Sequence, residues 1–421
     1  MNNRLAALSS SGLAMARWLP EHKRWDSLHR FRILLLLIAL TLVTLVRYSS
    51  LGITSAADPC CRQGMLESYM EPVTHFMTGA VLSRGGFNRK AAYATLAMTL
   101  AAEAPDLDVL WSLKGPVAGF EHHRGWTHTL LGVPFEAAIV TGAVWLIHRL
   151  LQRRAMPRAS HYGEPEAPVR WMRIYWFSVI ALLSHILLDW TNNYGVRPFF
   201  PFNPRWYEGS IVFIFEPVIF LLLLTALIAP ALLGLVGNEV GARRSRYRGR
   251  GWAIAALTGI VGLWSLRFVE RQKAMELTRQ AGLRQEQIVR MTADPFPGNP
   301  FRWQTVTETP LAFQVARVNT LSGEVSSSSQ ADVFYKPPST LAALVAKRSW
   351  LGHVYLDWSQ FPLVNDIGET EDGLTTVTFR DLRFLYGTSI LGREGVPLAG
   401  TVFVNGDRRV DHMEMDGHIQ R

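Results

Sequence analysis

The sequence predicts a polytopic α-helical membrane domain followed by a small, mainly-β soluble domain. Three observations carry that prediction. Charged residues make up 18% of the 421-residue chain and apolar ones 48%, against about a quarter charged in an ordinary soluble protein. The apolar residues are clumped into runs separated by short arginine-rich loops. Beyond residue 270 the pattern changes to short β-rich runs broken by turn residues. The net charge of +9 could suggest nucleic acid. The arginines, however, sit mainly in the loops between apolar runs, which is the positive-inside pattern of a membrane protein, so that reading is set aside.

The elements follow in order. Residues 1–69 form an N-terminal extension in which "ILLLLIALTLVTLV" (33–46) reads as one signal-anchor helix. The adjacent Cys60 and Cys61 are badly placed to bridge each other and set no disulfide framework. The membrane domain, 70–268, holds candidate spans or part-spans at 72–84, 89–104, 128–148, 173–190, 211–236 and 252–268. The first two are weak, being short or alanine-rich. The loops at 83–90, 149–173 and 237–251 carry the arginines and belong on the cytoplasmic side. The loops 105–127 and 191–210, and everything after 268, then face outward. The tail, 269–421, opens with an amphipathic helix near 270–291 and a Pro/Gly linker, "DPFPGNPF". Strand candidates follow at "LAFQVARV", "ADVFY", "HVYLDW" and "TTVTFRDLRFLY", with one helix near 338–348. A hairpin turns at Asn405-Gly406.

On that topology the ionisable residues gather at one face. His75 lies in "VTHFMTG", Asp106 and Asp108 in "APDLD", and His122, His123, Arg124 and His128 in "HHRGWTH". His185 and Asp189 sit four apart on one helix face in "SHILLDWTNNYG", and Glu216 enters the next helix from the same side. Imidazole and carboxylate together are ligands for zinc and similar divalent metals. The candidate ligands are His75, Asp106, His123, His128, His185 and Asp189, enough for one ion or two. Asp108, Arg124 and Glu216 are the candidate catalytic residues, with Arg124 placed to neutralise an anionic substrate group. Bland readings stand beside these. His122 reads as a flank, and either aspartate of "APDLD" can open a turn instead. Glu136 reads as a partner of a ligand, while His148 and His161 read as solvated. Trp171, Trp176, Trp190 and Trp206 read as an interfacial belt.

Together "MEPVTHFMTGA", "APDLD", "HHRGWTHTLLG" and "SHILLDWTNNYGVRPFFPF" resemble the YdjM-like family of bacterial inner-membrane, metal-dependent hydrolases, over roughly residues 70–235. The resemblance implies an integral inner-membrane protein with a His/Asp metal site. A looser similarity, to the zinc-dependent phospholipase C arrangement, aligns His75, Asp106 or Asp108, His123 or His128, then His185 and Asp189. That family's free N-terminal amine ligand has no counterpart at His75, which counts against a three-ion cluster. The family-like sequence begins at Met70, so 1–69 is either an anchor extension or the product of an upstream start. The expected function is metal-assisted hydrolysis of an ester or phosphoester, lipid-linked substrates included, at the outer membrane face. The rival expectation is a transporter or a non-catalytic metal-binding envelope protein.

Overall fold

The structure is a computed structural model that describes residues 61–152, 167–239, 247–282, 287–326, 332–386 and 397–420. The apolar run at 33–46, His161 and much of the two arginine-rich loops lie outside the described residues.

Among the described residues seven helices build the first part: α1 Cys61–Arg84, α2 Ala94–Glu103, α3 Pro116–His122, α4 Val133–Gln152, α5 Trp171–Thr191, α6 Pro217–Glu239 and α7 Arg250–Gln280. Two 3-10 segments, Pro105–Lys114 and Trp126–His128, join α2 to α4 on either side of α3. Proline stands at or near the start of α3, α4 and α6, where its missing N–H is not needed. Among the described residues four helices, α4 to α7, are long and apolar enough to cross a membrane. The distribution of side chains on α5 shows what surrounds them. Its buried stripe, Ile174, Phe177, Ser178, Ala181, Leu182, His185, Ile186 and Asp189, repeats at helical spacing and carries the polar groups. Its exposed face is Met172, Trp176, Ile180, Leu183 and Leu187. Apolar outside and polar inside suits a helix whose solvent is lipid.

Two of the segments read as weak spans turn out differently. Residues 72–84 are the second half of the longer α1. In 89–104 only the ten-residue α2 is helical, about 15 Å of rise against a hydrocarbon core of about 30 Å. Its alanines Ala94, Ala97, Ala101 and Ala102 are buried against α4 and α5. Small side chains let those backbones close in around it. Gly79 of α1 shows how tightly: a Cβ there would lie 2.4 Å from the Met98 carbonyl oxygen. A second apolar cluster joins α1 (Met77, Val81) to α6 (Ile219, Leu223) and α7 (Ala253, Ala256, Ile260).

The tail holds two antiparallel sheets with helices between them. The first contains β1 Arg290–Pro295, β2 Arg302–Glu308, β3 Ala312–Asn319, β4 Glu324–Ser326 and β5 Val333–Tyr335, with both short strands on β3. Then come α8 Leu341–Lys347 and α9 Trp350–Trp358. The second sheet is a meander of β6 Pro362–Glu369, β7 Thr375–Asp381, β8 Gly400–Val404, β9 Val410–Met415 and β10 His418–Gln420. The predicted Asn405-Gly406 turn joins β8 to β9, and the helix read near 338–348 is α8.

Three sequence readings of the tail are corrected. "HVYLDW" is helical, within α9: Ser349 caps it by accepting from the Gly352 N–H, and Leu351, Tyr355 and Trp358 form one buried stripe. Of the helix read at 270–291, residues 270–280 are the continuation of α7 and 290–291 begin β1, so the boundary read at 268 falls inside one unbroken helix. "DPFPGNPF" is no linker. It ends β1 and turns into β2, with Phe296 buried in a shared core. That core mixes Val117, Tyr194, Trp206 and Phe213 from the membrane part with Leu351, Tyr355, Trp358 and Phe379 from the tail. Trp206 is therefore internal and not part of an interfacial belt, its indole N–H donating to Asp357.

Candidate metal centre

Four segments far apart in the chain meet at one buried point. Helix α1 brings His75, the Pro105–Lys114 segment brings Asp106 and Asp108, Trp126–His128 brings His128, and α5 brings His185 and Asp189. The Nε2 atoms of His128 and His185 lie 3.0 Å apart. Asp106 Oδ1 is 3.5 Å from each of them. Asp189 Oδ2 is 3.2 Å from His128 Nε2 and 3.3 Å from His185 Nε2. Two ligands about 2.0–2.1 Å from a tetrahedral zinc stand roughly 3.4 Å apart, so these separations are those of one ion's ligand shell. His75 Nε2 lies 3.3 Å from the other Asp189 oxygen, Oδ1. Two overlapping triads can thus be drawn that could hold an ion: His75, His185, Asp189 and Asp106, His128, His185.

The hydrogen bonds test whether a cation fits. His185 Nδ1 is 2.7 Å from the Ala102 carbonyl oxygen. A carbonyl only accepts, so Nδ1 carries the proton and Nε2 presents a lone pair. His128 Nδ1 faces Asp108 Oδ2 at 3.3 Å and Thr127 Oγ1 at 3.0 Å, which assigns its proton in the same way. With both rings neutral, as metal ligation requires, two imidazole lone pairs point at each other beside two carboxylates. Asp106 Oδ2 and both Asp189 oxygens are buried without a hydrogen bond of good geometry. Such a set is unfavourable by itself and is relieved by a shared cation. The donor set fits a divalent metal.

A ring of other groups fixes these side chains. Arg124 is 1% exposed; its Nη2 lies 3.0 Å from Asp189 Oδ1, and Nη1 donates to Asn192 Oδ1 (3.1 Å) and the Gly195 carbonyl (2.8 Å). Its guanidinium thus holds Asp189 in place, a different task from meeting a substrate. Arg124 has a positive φ of 54°, uncommon for a residue with a Cβ, and its N–H donates to Asp108 Oδ2 at 2.8 Å. Burial alone would raise the Asp108 carboxyl, but His123 and His128 outweigh it and hold the group well below its usual range.

The structure leaves three singled-out histidines and Glu216 outside the triads. His123 pairs with Asp108 Oδ1 at 3.2 Å, is 32% exposed, and its ring centre is 6.0 Å from that of His128. His122 stacks on Trp111, as expected of a flank. His148 is half-buried against Tyr93 and Trp171 and not simply solvated. Glu216 pairs with Arg267 at 2.7 Å and accepts from the Gly298 N–H. A cavity of about 30 Å³, room for one water, separates it from His75 and Asp189. Among the described residues no hydrogen bond joins Glu136 to His128. Asn192 is the group the motifs did not single out. Its Oδ1 also accepts from the N–H groups of Tyr194 and Gly195, and an asparagine two residues before Tyr-Gly is a turn signal that could have found it.

Fold and site together define an integral membrane protein with a buried His/Asp centre suited to a metal ion. Residues 70–274 match the family model described as YdjM inner membrane protein, so this region of the chain is similar to that family. The chain is also similar to the uncharacterized protein YfhP of Bacillus subtilis (strain 168), at 26% identity over 166 residues, which is 38% of this chain and 45% of the relative. The chain thus spans less than half of that relative's length. No solved structure matches.

Proposed function

We propose that this protein is a metal-dependent hydrolase of the inner membrane, acting on an ester or phosphoester at the outer face, with its tail extracytoplasmic. The observation that carries the reading is the opposed pair of Nε2 atoms of His128 and His185, 3.0 Å apart with both Nδ1 protons committed elsewhere. Asp106, His128, His185 and Asp189 would hold a divalent ion, zinc foremost, with His75 placed for a second site across Asp189. A divalent ion in such a set supplies a water acidified into the neutral range and a Lewis acid for the substrate oxygen.

The chain's own groups do the rest. Arg124 and Asn192 fix Asp189, and the Ala102 carbonyl fixes His185. Asp106, with its side chain 15% exposed, is the ligand nearest to solvent and marks where substrate approaches. Asp108 holds His128 through one oxygen and His123 through the other. Half-exposed and oriented by that carboxylate, His123 is placed to give a proton to the leaving group.

Elemental analysis of detergent-purified protein, with a screen of esters and phosphoesters, tests this. His185→Ala and Asp189→Asn are expected to lose both metal and turnover. His123→Ala is expected to keep its metal and lose about 10²–10⁴ in kcat. Wild-type protein that is fully metal-loaded yet turns over no ester or phosphoester overturns the hydrolase reading in favour of a transporter or a non-catalytic metal-binding protein.

A further inference from the structure

At the end of α1 away from the tail lies a second cavity, of about 270 Å³, lined by Gly85, Gly86, Phe87, Arg89, Lys90 and Arg250. Three of its six lining residues are cations and none is an acid. Arg89, Lys90 and Arg250 are exposed and form no ion pair with a carboxylate among the described residues. Their contacts among the described residues are with backbone and rings, which carry no compensating charge. Arg250 Nε donates to the Gly85 carbonyl (3.2 Å), Arg89 to the Tyr247 carbonyl (3.1 Å), and the Lys90 ammonium lies 5.7 Å from the Phe87 ring centre. Three like charges around one concavity repel, and an anion among them relieves that repulsion. Gly86, at φ +152°, has Arg250 Nε 3.9 Å from the point where a Cβ would stand, so the guanidinium lies in ordinary contact with the cavity wall.

What lies beneath the cavity says which anion. Arg250 is the first residue of α7, one of the membrane-crossing helices. Below it Ile254 and Val261, four and eleven residues on and therefore on the same face of the helix as Arg250, are exposed. A charged concavity directly over an exposed apolar helix face matches a phosphate joined to acyl chains. We propose that this cavity binds the phosphate of an anionic phospholipid headgroup, with the acyl chains lying along α7. The site shares no residue with the metal centre and does not depend on the hydrolase reading. It lies among the arginine-rich loops, where basic pockets between membrane helices meet the anionic leaflet.

Native mass spectrometry of the full chain released from detergent tests the proposal, with phosphatidylglycerol and phosphatidylcholine at equal concentration and inorganic phosphate as a third arm. The wild type is expected to retain phosphatidylglycerol about tenfold better than phosphatidylcholine. The pair Lys90→Gln, Arg250→Gln should abolish that preference, while Arg279→Gln, exposed elsewhere on α7, should keep it. Unchanged metal content in the double variant would show that the fold survives. Equal retention of the two lipids by the wild type, or a preference that survives the double substitution, overturns the proposal. Inorganic phosphate displacing the lipid at equal concentration makes this a site for a soluble anion and overturns the lipid assignment.

Discussion

Asp108 touches neither triad as a ligand, yet it joins His128, His123, Thr127 and the Arg124 N–H through two oxygens. Asp108→Asn keeps the shape and removes the charge that fixes the His128 proton on Nδ1. Metal affinity should fall about 10–100-fold, the usual cost of losing a carboxylate behind a ligand histidine, read by competition with a chelator. The sequence showed Asp106 and Asp108 as a pair and could not separate their tasks, because two residues of a tight 3-10 segment point differently only once it is folded. A second buried carboxylate, Asp294 of β1, has no bearing on metal. Both its oxygens are buried without a hydrogen bond. Burial first, then the Glu208 carboxylate, push it well above the ordinary range, against Arg383 and Arg271. The folded state therefore keeps a proton that the unfolded chain releases above about pH 3.8, and stability falls as pH rises from there toward the folded value. Asp294→Asn removes that dependence. Its gain in Tm over the wild type should be small at pH 4 and larger at pH 8, and an equal gain at both would contradict the assignment.

Helices α1 and α2 meet at Gly79, one turn beyond His75 and against both the Met98 carbonyl and Ala102, whose own carbonyl holds His185. Gly79→Ala should wedge the pair apart, costing about 1–3 kcal/mol, and lower metal occupancy although no ligand is altered. Elemental analysis beside a thermal melt checks both parts. Glu216 matters to α6 and α7 in another way. Its partner Arg267 is fully buried, so Glu216→Gln strands a guanidinium and should cost about 3–5 kcal/mol. The long spans were legible as apolar runs. The unbroken course of α7 was not, because its C-terminal turns pack Ala274 and Met275 against Trp303 and Val318 of the tail. The pattern changes from lipid-facing to core-facing within one helix, and that change read as a boundary.

At the scale of the molecule, the tail braces the loops that carry the site. The Trp358 indole donates to the Tyr194 carbonyl, Trp350 to Glu121, and Arg383 to the Asn193 carbonyl. None of these partners could be found from spacing, since each joins residues more than a hundred positions apart. The site motifs were legible because membrane helices leave few polar residues, and those few converge. The positive-inside pattern predicts that Cys introduced at Arg170 is shielded from an impermeant thiol reagent in intact spheroplasts and that Cys at Ser339 is labelled, once Cys60 and Cys61 are replaced. Reversed labelling would move the proposed chemistry to the cytoplasm.

The candidate ligands leave the ribosome in a fixed order: His75, Asp106, His128, then His185 and Asp189. The set is incomplete until α5 has been synthesised, so the earlier imidazole and carboxylate groups reach the membrane with no complete ligand set to share. Arg124 emerges long before Asp189, the carboxylate it holds in place. Cation capture is thus a late event in biogenesis, and a chain stopped before α5 would be a nascent membrane protein holding costly polar groups in lipid, a natural substrate for quality control.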